Sequence, residues 1–161
     1  MFFRRKSETA PASKLDREGR DVGWYAAMDG DLNTLQNRLQ SDLSIDHADK
    51  GGASLLWIAA HDGQVEAVKY LLARGASVDA KDTHGNAALW HTTRQAVSPT
   101  PQTTNFIGIL ELLLAAGADP DHKNKTGKTA PCWAGPMVGN AVNRDEVQSL
   151  FRAYGYSGDF T

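Results

Sequence analysis

The chain has 161 residues and a formal net charge of -2, with 41% hydrophobic and 22% charged residues. This composition is typical of a single folded domain, and no apolar run is long enough to span a membrane. Cys132 is the only cysteine, which excludes an internal disulfide, and no ligand cluster accompanies it. We therefore expect a cytoplasmic protein without a metal or cofactor.

Residues 1–15 are predicted to form a flexible basic tail. Two phenylalanines and three basic residues occupy 2–6, but the apolar stretch of roughly 7–15 residues that a signal peptide needs does not follow. Residues 1–20 carry six basic and three acidic side chains, which leaves a net charge of -5 for the rest of the chain. An acidic body with one short basic cluster disfavours nucleic acid binding and stable membrane insertion.

A 33-residue period organises the remainder of the chain. Three tryptophans recur at this step, namely Trp24, Trp57 and Trp90. The period predicts a repeat domain over 16–155, followed by a C-terminal tail over 156–161. Its four units are about 16–48, 49–81, 82–123 and 124–155.

Each unit begins with Asp or Asn followed three residues later by Gly. The pairs are Asp16 and Gly19, Asp49 and Gly52, Asp82 and Gly85, and Asn124 and Gly127. This spacing suits a type I turn, because Asp or Asn can hydrogen-bond the turn backbone and Gly is favoured at the fourth position. We expect four turns at equivalent places in the units.

The second unit shows the helical pattern most clearly. Ser54 is a suitable N-cap for a short apolar helix that continues to residue 60. Val65, Val68 and Leu71 share one face of a second helix, and Gly75 ends it. The other units repeat this order, with an extended return to the next turn.

These signals resemble the ankyrin repeat family, whose units read approximately Asp-x-x-Gly-x-Thr-Pro-Leu-His-x-Ala-Ala, then an amphipathic helix and Gly-Ala-Asp. Residues 49–60 and 75–77 match this pattern in the second unit, and 117–119 close the third. The resemblance implies an all-α ankyrin-repeat solenoid of about four helix–turn–helix units with β-turn fingers.

The chain departs from the family at the position of the usual His. Tryptophan stands there in the first three units, and Cys132 followed by Trp133 stands there in the fourth. We expect the tryptophans to form a stacked aromatic seam between units, since an indole buries a large area. Thr92 and Thr93 replace the alanine pair of the third unit, which predicts a weaker helix.

Two insertions interrupt the period. The step from Gly85 to Gly127 is 42 residues, and the nine extra residues fall around 94–105, in a candidate loop over 92–106. Its two prolines cannot continue a helix. A second lengthened link lies within 135–144. We expect the two insertions to lie side by side and to contribute to binding.

Candidate catalytic residues are few. Residues 127–129 read Gly-Lys-Thr, but His122 stands where a phosphate-binding loop needs Gly, so we interpret them as a structural turn. His61, Asp62 and His91 could supply an acid–base pair, yet no recognisable nucleophile motif accompanies them. They are interpreted as surface polar residues, and the histidines lack metal-ligand spacing. We predict no enzymatic activity.

The family resemblance implies that a monomer binds a folded protein partner through the concave face. The chain would inhibit or sequester that partner, as an immunity protein does. An adaptor joining two proteins is the main alternative, and an enzyme using His61, Asp62 and His91 is the other. The family's contact positions fall on Met28, Asp29, Lys50, Ala53, His61, Asp62, Thr83, His84, Asn86, Arg94, Lys125 and Lys128.

Overall fold

The computed structural model describes residues 15–99, 101, 103–136 and 143–161. Apart from Leu15, the predicted N-terminal tail lies outside these residues. The helices within them are α1 Val22–Asp29, α2 Leu32–Ser41, α3 Leu55–His61, α4 Val65–Ala73, α5 Ala88–Ala96, α6 Thr103–Ala115, a 3₁₀ helix Ala130–Ala134, and α7 Arg144–Ala153. No helix in the described ranges is long and apolar enough to cross a membrane.

The helices pack as two layers. α1, α3, α5 and the 3₁₀ helix contact one another in sequence and form the inner layer, and α2, α4, α6 and α7 cover it. The alanine pairs allow the inner helices to approach closely, and Ala27, Ala59 and Ala60 are fully buried. The predicted all-α repeat fold is confirmed.

The turns between units form fingers with the predicted chemistry. Asp49 Oδ1 accepts hydrogen bonds from the backbone N–H groups of Gly51 and Ala53 at 2.9 and 3.0 Å. Gly52 has a φ of 81°, which glycine adopts without the steric cost that other residues meet. The first residue of each other finger accepts the same pair of bonds, namely Asp16, Asp82 and Asn124.

The insertion of the third unit is only partly a loop. α5 is two residues longer than α3, and α6 is four residues longer than α4. The predicted limits of the insertion, 94–105, are therefore wrong at both ends. Burial supplies the reason, because Ala96 and Phe106 extend the two helices into the core.

The predicted weak helix of the third unit is the nine-residue α5. Thr92 and Thr93 are both fully buried, and Thr93 Oγ1 donates a hydrogen bond to Leu89 O at 2.7 Å. That bond satisfies the Thr93 hydroxyl inside the core.

The fourth unit departs most from the others. Its inner element is a five-residue 3₁₀ helix, and Gly135 ends it with extended backbone at φ -77° and ψ 165°. A Cβ at Gly135 would collide with the carbonyl oxygen of Phe160. The second insertion falls largely on 137–142, outside the described residues, so its position beside the first remains a prediction.

Residues 156–161 pack on the last helix instead of extending as a tail. Tyr156 and Phe160 are buried, and their rings lie 5.9 and 6.2 Å from the ring of Phe151. Tyr156 Oη donates a hydrogen bond to Asp159 O at 2.8 Å. A boundary of the folded domain at residue 155 is therefore too early, because this segment covers the apolar end of the stack.

Candidate protein-interaction surface

A groove of about 260 Å³ lies between the first three fingers and the inner helices. We call it the concave groove. Its lining combines three large apolar or aromatic residues of the inner helices with residues of the fingers, five of which are polar. The lining residues are Arg20, Trp24, Asp49, Gly51, Ala53, Trp57, Ile58, Asp82, Thr83 and His84.

The first unit supplies one side of the concave groove in a fixed position. Trp24 Nε1 donates a hydrogen bond to Ala53 O at 2.8 Å, which joins α1 to the second finger. The Arg20 guanidinium lies 4.5 Å from the centre of the Trp24 ring, and its Nε lies 3.1 Å from Asp49 Oδ2. These contacts hold a cation over the indole at the rim.

An aromatic seam continues from the groove through the later units. Trp57 and Trp90 contact His91 with ring centroids 4.4 and 4.9 Å apart, and Trp90 contacts Trp133 at 5.1 Å. The interplanar angles of 64°, 70° and 81° make these edge contacts. The predicted aromatic seam between units therefore joins units two to four, and its rings meet at their edges instead of stacking, which suits the ring quadrupoles.

His61 and His91 lie beside the seam. The ring of His61 stacks on Trp57 at 5.1 Å with an interplanar angle of 5°, and lies 5.6 Å from the ring of His91. His91 Nε2 lies 3.3 Å from Asp82 Oδ2, and His61 Nδ1 lies 3.3 Å from Asp62 Oδ1. Each imidazole thus has a carboxylate neighbour. Among the described residues, no three metal-ligating side chains form a group.

The pKa of His91 is lowered from 6.5 to about 4, chiefly by burial, while its contact with Asp82 opposes the change. Burial disfavours the charged form of an imidazole, so His91 is neutral near pH 7. A neutral ring packed between Trp57 and Trp90 serves as part of the seam.

We expect the free energy of unfolding to decrease as the pH falls from about 6.5 towards 4. The folded pKa of His91 is about 4 and the ordinary value is 6.5, so the unfolded chain binds the additional proton in this range. The effect is at most about 3 kcal/mol. Urea denaturation between pH 7 and pH 5 measures it.

The variant His91→Gln should lose this part of the pH dependence, because the titrating group is gone. His84→Gln changes an exposed finger residue and is the matched control. Equal slopes of stability against pH in the wild type and His91→Gln would contradict the assignment.

The structure separates the predicted contact residues by exposure. Ala53 is 8% exposed and contributes only a small surface to the lining of the groove, and Asn86, 6% exposed, does not line it. Asn86 Oδ1 instead accepts a hydrogen bond from Asn124 Nδ2 at 2.8 Å, which joins the third and fourth fingers. Met28 and His61 are half-buried, and the exposed ones are Asp29, Lys50, Asp62, Thr83, His84, Arg94, Lys125 and Lys128.

The concave groove collects only some of these residues. Ala53, Thr83 and His84 line it, whereas Lys128 borders a separate cavity of about 650 Å³ at the C-terminal end. Arg94 lies 5.7 Å from the ring centre of Trp133, at the far end of the seam. Arg20 and Ile58 line the groove without having been predicted as contacts. Arg20 follows the finger glycine directly, and that position is the signal that could have found it.

This arrangement defines a scaffold of tandem helical repeats with one continuous face of fingers and inner helices. Residues 23–124 match ankyrin repeats in three copies, and the chain belongs to the ankyrin repeat family. It is similar to a crystal structure of an ankyrin repeat domain from Acinetobacter baumannii AYE, with 27% identity, a TM-score of 0.74, and coverage of 88% of this chain and 67% of that one. No curated protein matches significantly. Ankyrin repeat domains are typically non-catalytic modules of protein–protein interaction.

Proposed function

We propose that the chain binds a folded protein partner through the concave groove and thereby inhibits or sequesters it. The observation that carries this proposal is the groove itself, which brings Trp24, Trp57 and Ile58 together beside the exposed finger residues Thr83 and His84. Binding energy at protein interfaces concentrates where an apolar or aromatic anchor fills such a pocket.

The groove would form the centre of a larger interface. A stable complex buries about 800 Å² on each partner, so the surrounding fingers and inner helices must also take part. Asp29, Asp62 and Arg94 are exposed on the inner helices or just beyond their ends and would form the polar rim. The groove is already built in the free chain by hydrogen bonds such as Trp24 to Ala53, which lowers the cost of ordering on binding.

We further propose that the chain acts without catalysis. His91 is neutral near pH 7 and lies between two tryptophans, so its ring has no open approach for a substrate. His61 is covered on one face by Trp57. Substituting His61, Asp62 and His91 together should reduce the affinity for the partner only partially. An enzyme, in contrast, would lose turnover and still bind its ligand.

The variant Thr83→Trp tests the groove. Thr83 is exposed at the rim, and a bulky neutral side chain there would occupy space that the partner needs. The partner is first captured from the cells that express the chain and identified by mass spectrometry. We then expect Thr83→Trp to weaken its binding at least about tenfold, as calorimetry would measure.

Ala73→Trp is the matched control. Ala73 is exposed at the end of the outer helix α4, away from the lining of the groove, and receives the same side chain. Its affinity should equal that of the wild type. The proposal fails if both variants bind equally well. The mass of the complex then shows whether the chain sequesters one partner or acts as an adaptor that holds two proteins.

A further inference from the structure

The four fingers carry a different charge from the rest of the molecule. Residues 16–20, 49–53, 82–86 and 124–128 hold five basic and four acidic residues, whereas the other described residues hold eight basic and fourteen acidic ones. The basic residues of the fingers are Arg17, Arg20, Lys50, Lys125 and Lys128. The finger edge is therefore the positive part of an otherwise acidic body.

Two of the four finger carboxylates, Asp49 and Asp82, are turned inward, whereas Asp16 and Glu18 are exposed. The side chains of Asp49 and Asp82 are only 6% and 7% exposed, because each accepts two backbone hydrogen bonds within its own turn. Arg17, Lys50 and Lys125 are exposed. Within the described part of the chain, no carboxylate lies within ion-pair distance of these three cations.

Two cations of the outer helices, Lys69 and Arg38, do have carboxylate partners. Lys69 pairs with Glu66 at 2.7 Å, and Arg38 of α2 pairs with Asp42 at 2.8 Å. Other cations, such as Arg74 and Arg152, also have no carboxylate within ion-pair distance in the described part of the chain, but Arg17, Lys50 and Lys125 are the ones that stand in the finger row. Each one keeps its charge available for an external carboxylate, which makes the finger edge a surface of defined electrostatic character.

Backbone hydrogen bonds hold the fingers in one row. They run from Lys50 N to Glu18 O at 2.8 Å, from Thr83 N to Gly51 O at 2.8 Å, and from Lys125 N to His84 O at 3.0 Å. Lys50 Nζ donates to Arg17 O at 2.6 Å, so these two cations lie on neighbouring fingers. The Debye length is about 8 Å at physiological salt, and charges on adjacent fingers can act on the same group of a partner.

We propose that the finger row binds an acidic surface of the protein partner, positioned so that an apolar side chain next to it enters the concave groove. This inference rests on the proposed function, and it adds the chemistry of the partner. A protein fits better than a nucleic acid because Glu18 is exposed in the same row and Asp29 and Asp62 are exposed on the inner side. A continuous line of phosphates could not avoid these carboxylates, whereas the acidic groups of a protein surface can lie opposite the cations alone.

The test reverses the unpaired cations. The variant Arg17→Glu/Lys50→Glu/Lys125→Glu is compared with Lys69→Glu/Arg74→Glu/Arg152→Glu. This control makes the same change in charge on the outer helices α4 and α7 and at the C-cap of α4. Affinity for the captured partner is measured by calorimetry at low and high salt. We expect the finger variant to bind at least about tenfold more weakly at about 50 mM salt, with less than about a threefold effect at 500 mM.

The control variant should bind within about twofold of the wild type at both salt concentrations. Equal losses in the two variants, or a loss that does not depend on salt, would overturn the inference. So would tight binding of a duplex DNA probe that the finger variant loses, since the cations would then serve phosphates. Circular dichroism establishes that both variants remain folded.

The two proposals fail in different ways. If Thr83→Trp abolishes binding and the finger variant does not weaken it, the groove binds a partner whose surface is not acidic. If Thr83→Trp has no effect, the proposed function itself is wrong. A designed glutamate-rich peptide serves as a further probe, and its binding to the wild type should also disappear in the finger variant.

Discussion

Asp21→Ala is expected to destabilise the N-terminal unit by about 3–5 kcal/mol, because it leaves a buried guanidinium without its main partner. Asp21 is fully buried, and its two carboxylate oxygens lie 3.1 and 3.2 Å from Nε and Nη2 of Arg38. Asp21 Oδ1 also accepts the Gly23 N–H at 2.7 Å at the start of α1. The substitution removes both the ion pair and the helix cap. Urea denaturation would measure the resulting loss in the free energy of unfolding.

Asp42→Ala provides the matched control, since Asp42 contacts the same guanidinium from the surface. Its carboxylate lies 2.8 Å from Arg38 Nη2, but its side chain is 57% exposed. Exposed ion pairs contribute at most about 1 kcal/mol, so this variant should be nearly as stable as the wild type. Similar losses for the two alanine variants would contradict the assignment of Asp21 as the main partner.

Loss of the first unit would also change the proposed binding surface. Arg20 and Trp24 belong to this unit and line one side of the concave groove. Hydrogen exchange should therefore show that α1 and α2 open first in Asp21→Ala, and the partner should bind more weakly as that side of the groove is lost.

Gly52→Ala is expected to separate the second and third fingers. The Cβ of the new residue would lie 2.9 Å from both Asp82 Cα and Lys81 O, and these backbone atoms cannot move without displacing the third finger. The φ of 81° adds the strain of a left-handed conformation. We expect a loss of at least about 2 kcal/mol in the free energy of unfolding, with weaker partner binding.

Gly75→Ala separates the cost of the contact between fingers from the cost of the left-handed backbone conformation. Gly75 has a similar φ of 82°, yet no atom lies within 4 Å of the position of its Cβ. It should therefore show only the conformational cost, about 1–2 kcal/mol, and bind the partner normally. Equal affinities for Gly52→Ala and Gly75→Ala would show that the contact between fingers does not shape the binding surface.

Local chemistry made much of the fold predictable. Each finger is held by hydrogen bonds between residues at most four positions apart, such as Asp49 and Ala53. The spacing of Asp and Gly was therefore sufficient to predict the turn. The prediction of Ser54 as a helix N-cap is confirmed in the same way, since its hydroxyl accepts the Trp57 N–H at 3.1 Å. The C-terminal end of α5 and the N-terminal end of α6 were predicted wrongly, because the burial of Ala96 and Phe106 depends on neighbouring units.

The candidate site was less predictable than the fold. Family position alone could not separate Thr83, which lines the groove, from Asn86, which is buried three residues later. Besides Asp82 in its own turn, Asn86 contacts Asn124, 38 residues away, so its burial depends on how two units stack. Arg20 became a groove residue for the same reason, because Asp49 and Trp24 position its guanidinium.

The sequence by itself determined the repeat, the four turns and the alternation of short helices. Each of these follows from turn chemistry, helix caps and apolar periodicity within a few residues. Only the tertiary structure decided that 156–161 cover the end of the stack, and that Asp49 and Asp82 turn inward while Arg17, Lys50 and Lys125 face outward. Those outcomes depend on packing between residues far apart in the chain, and no local pattern records which side chains that packing leaves exposed.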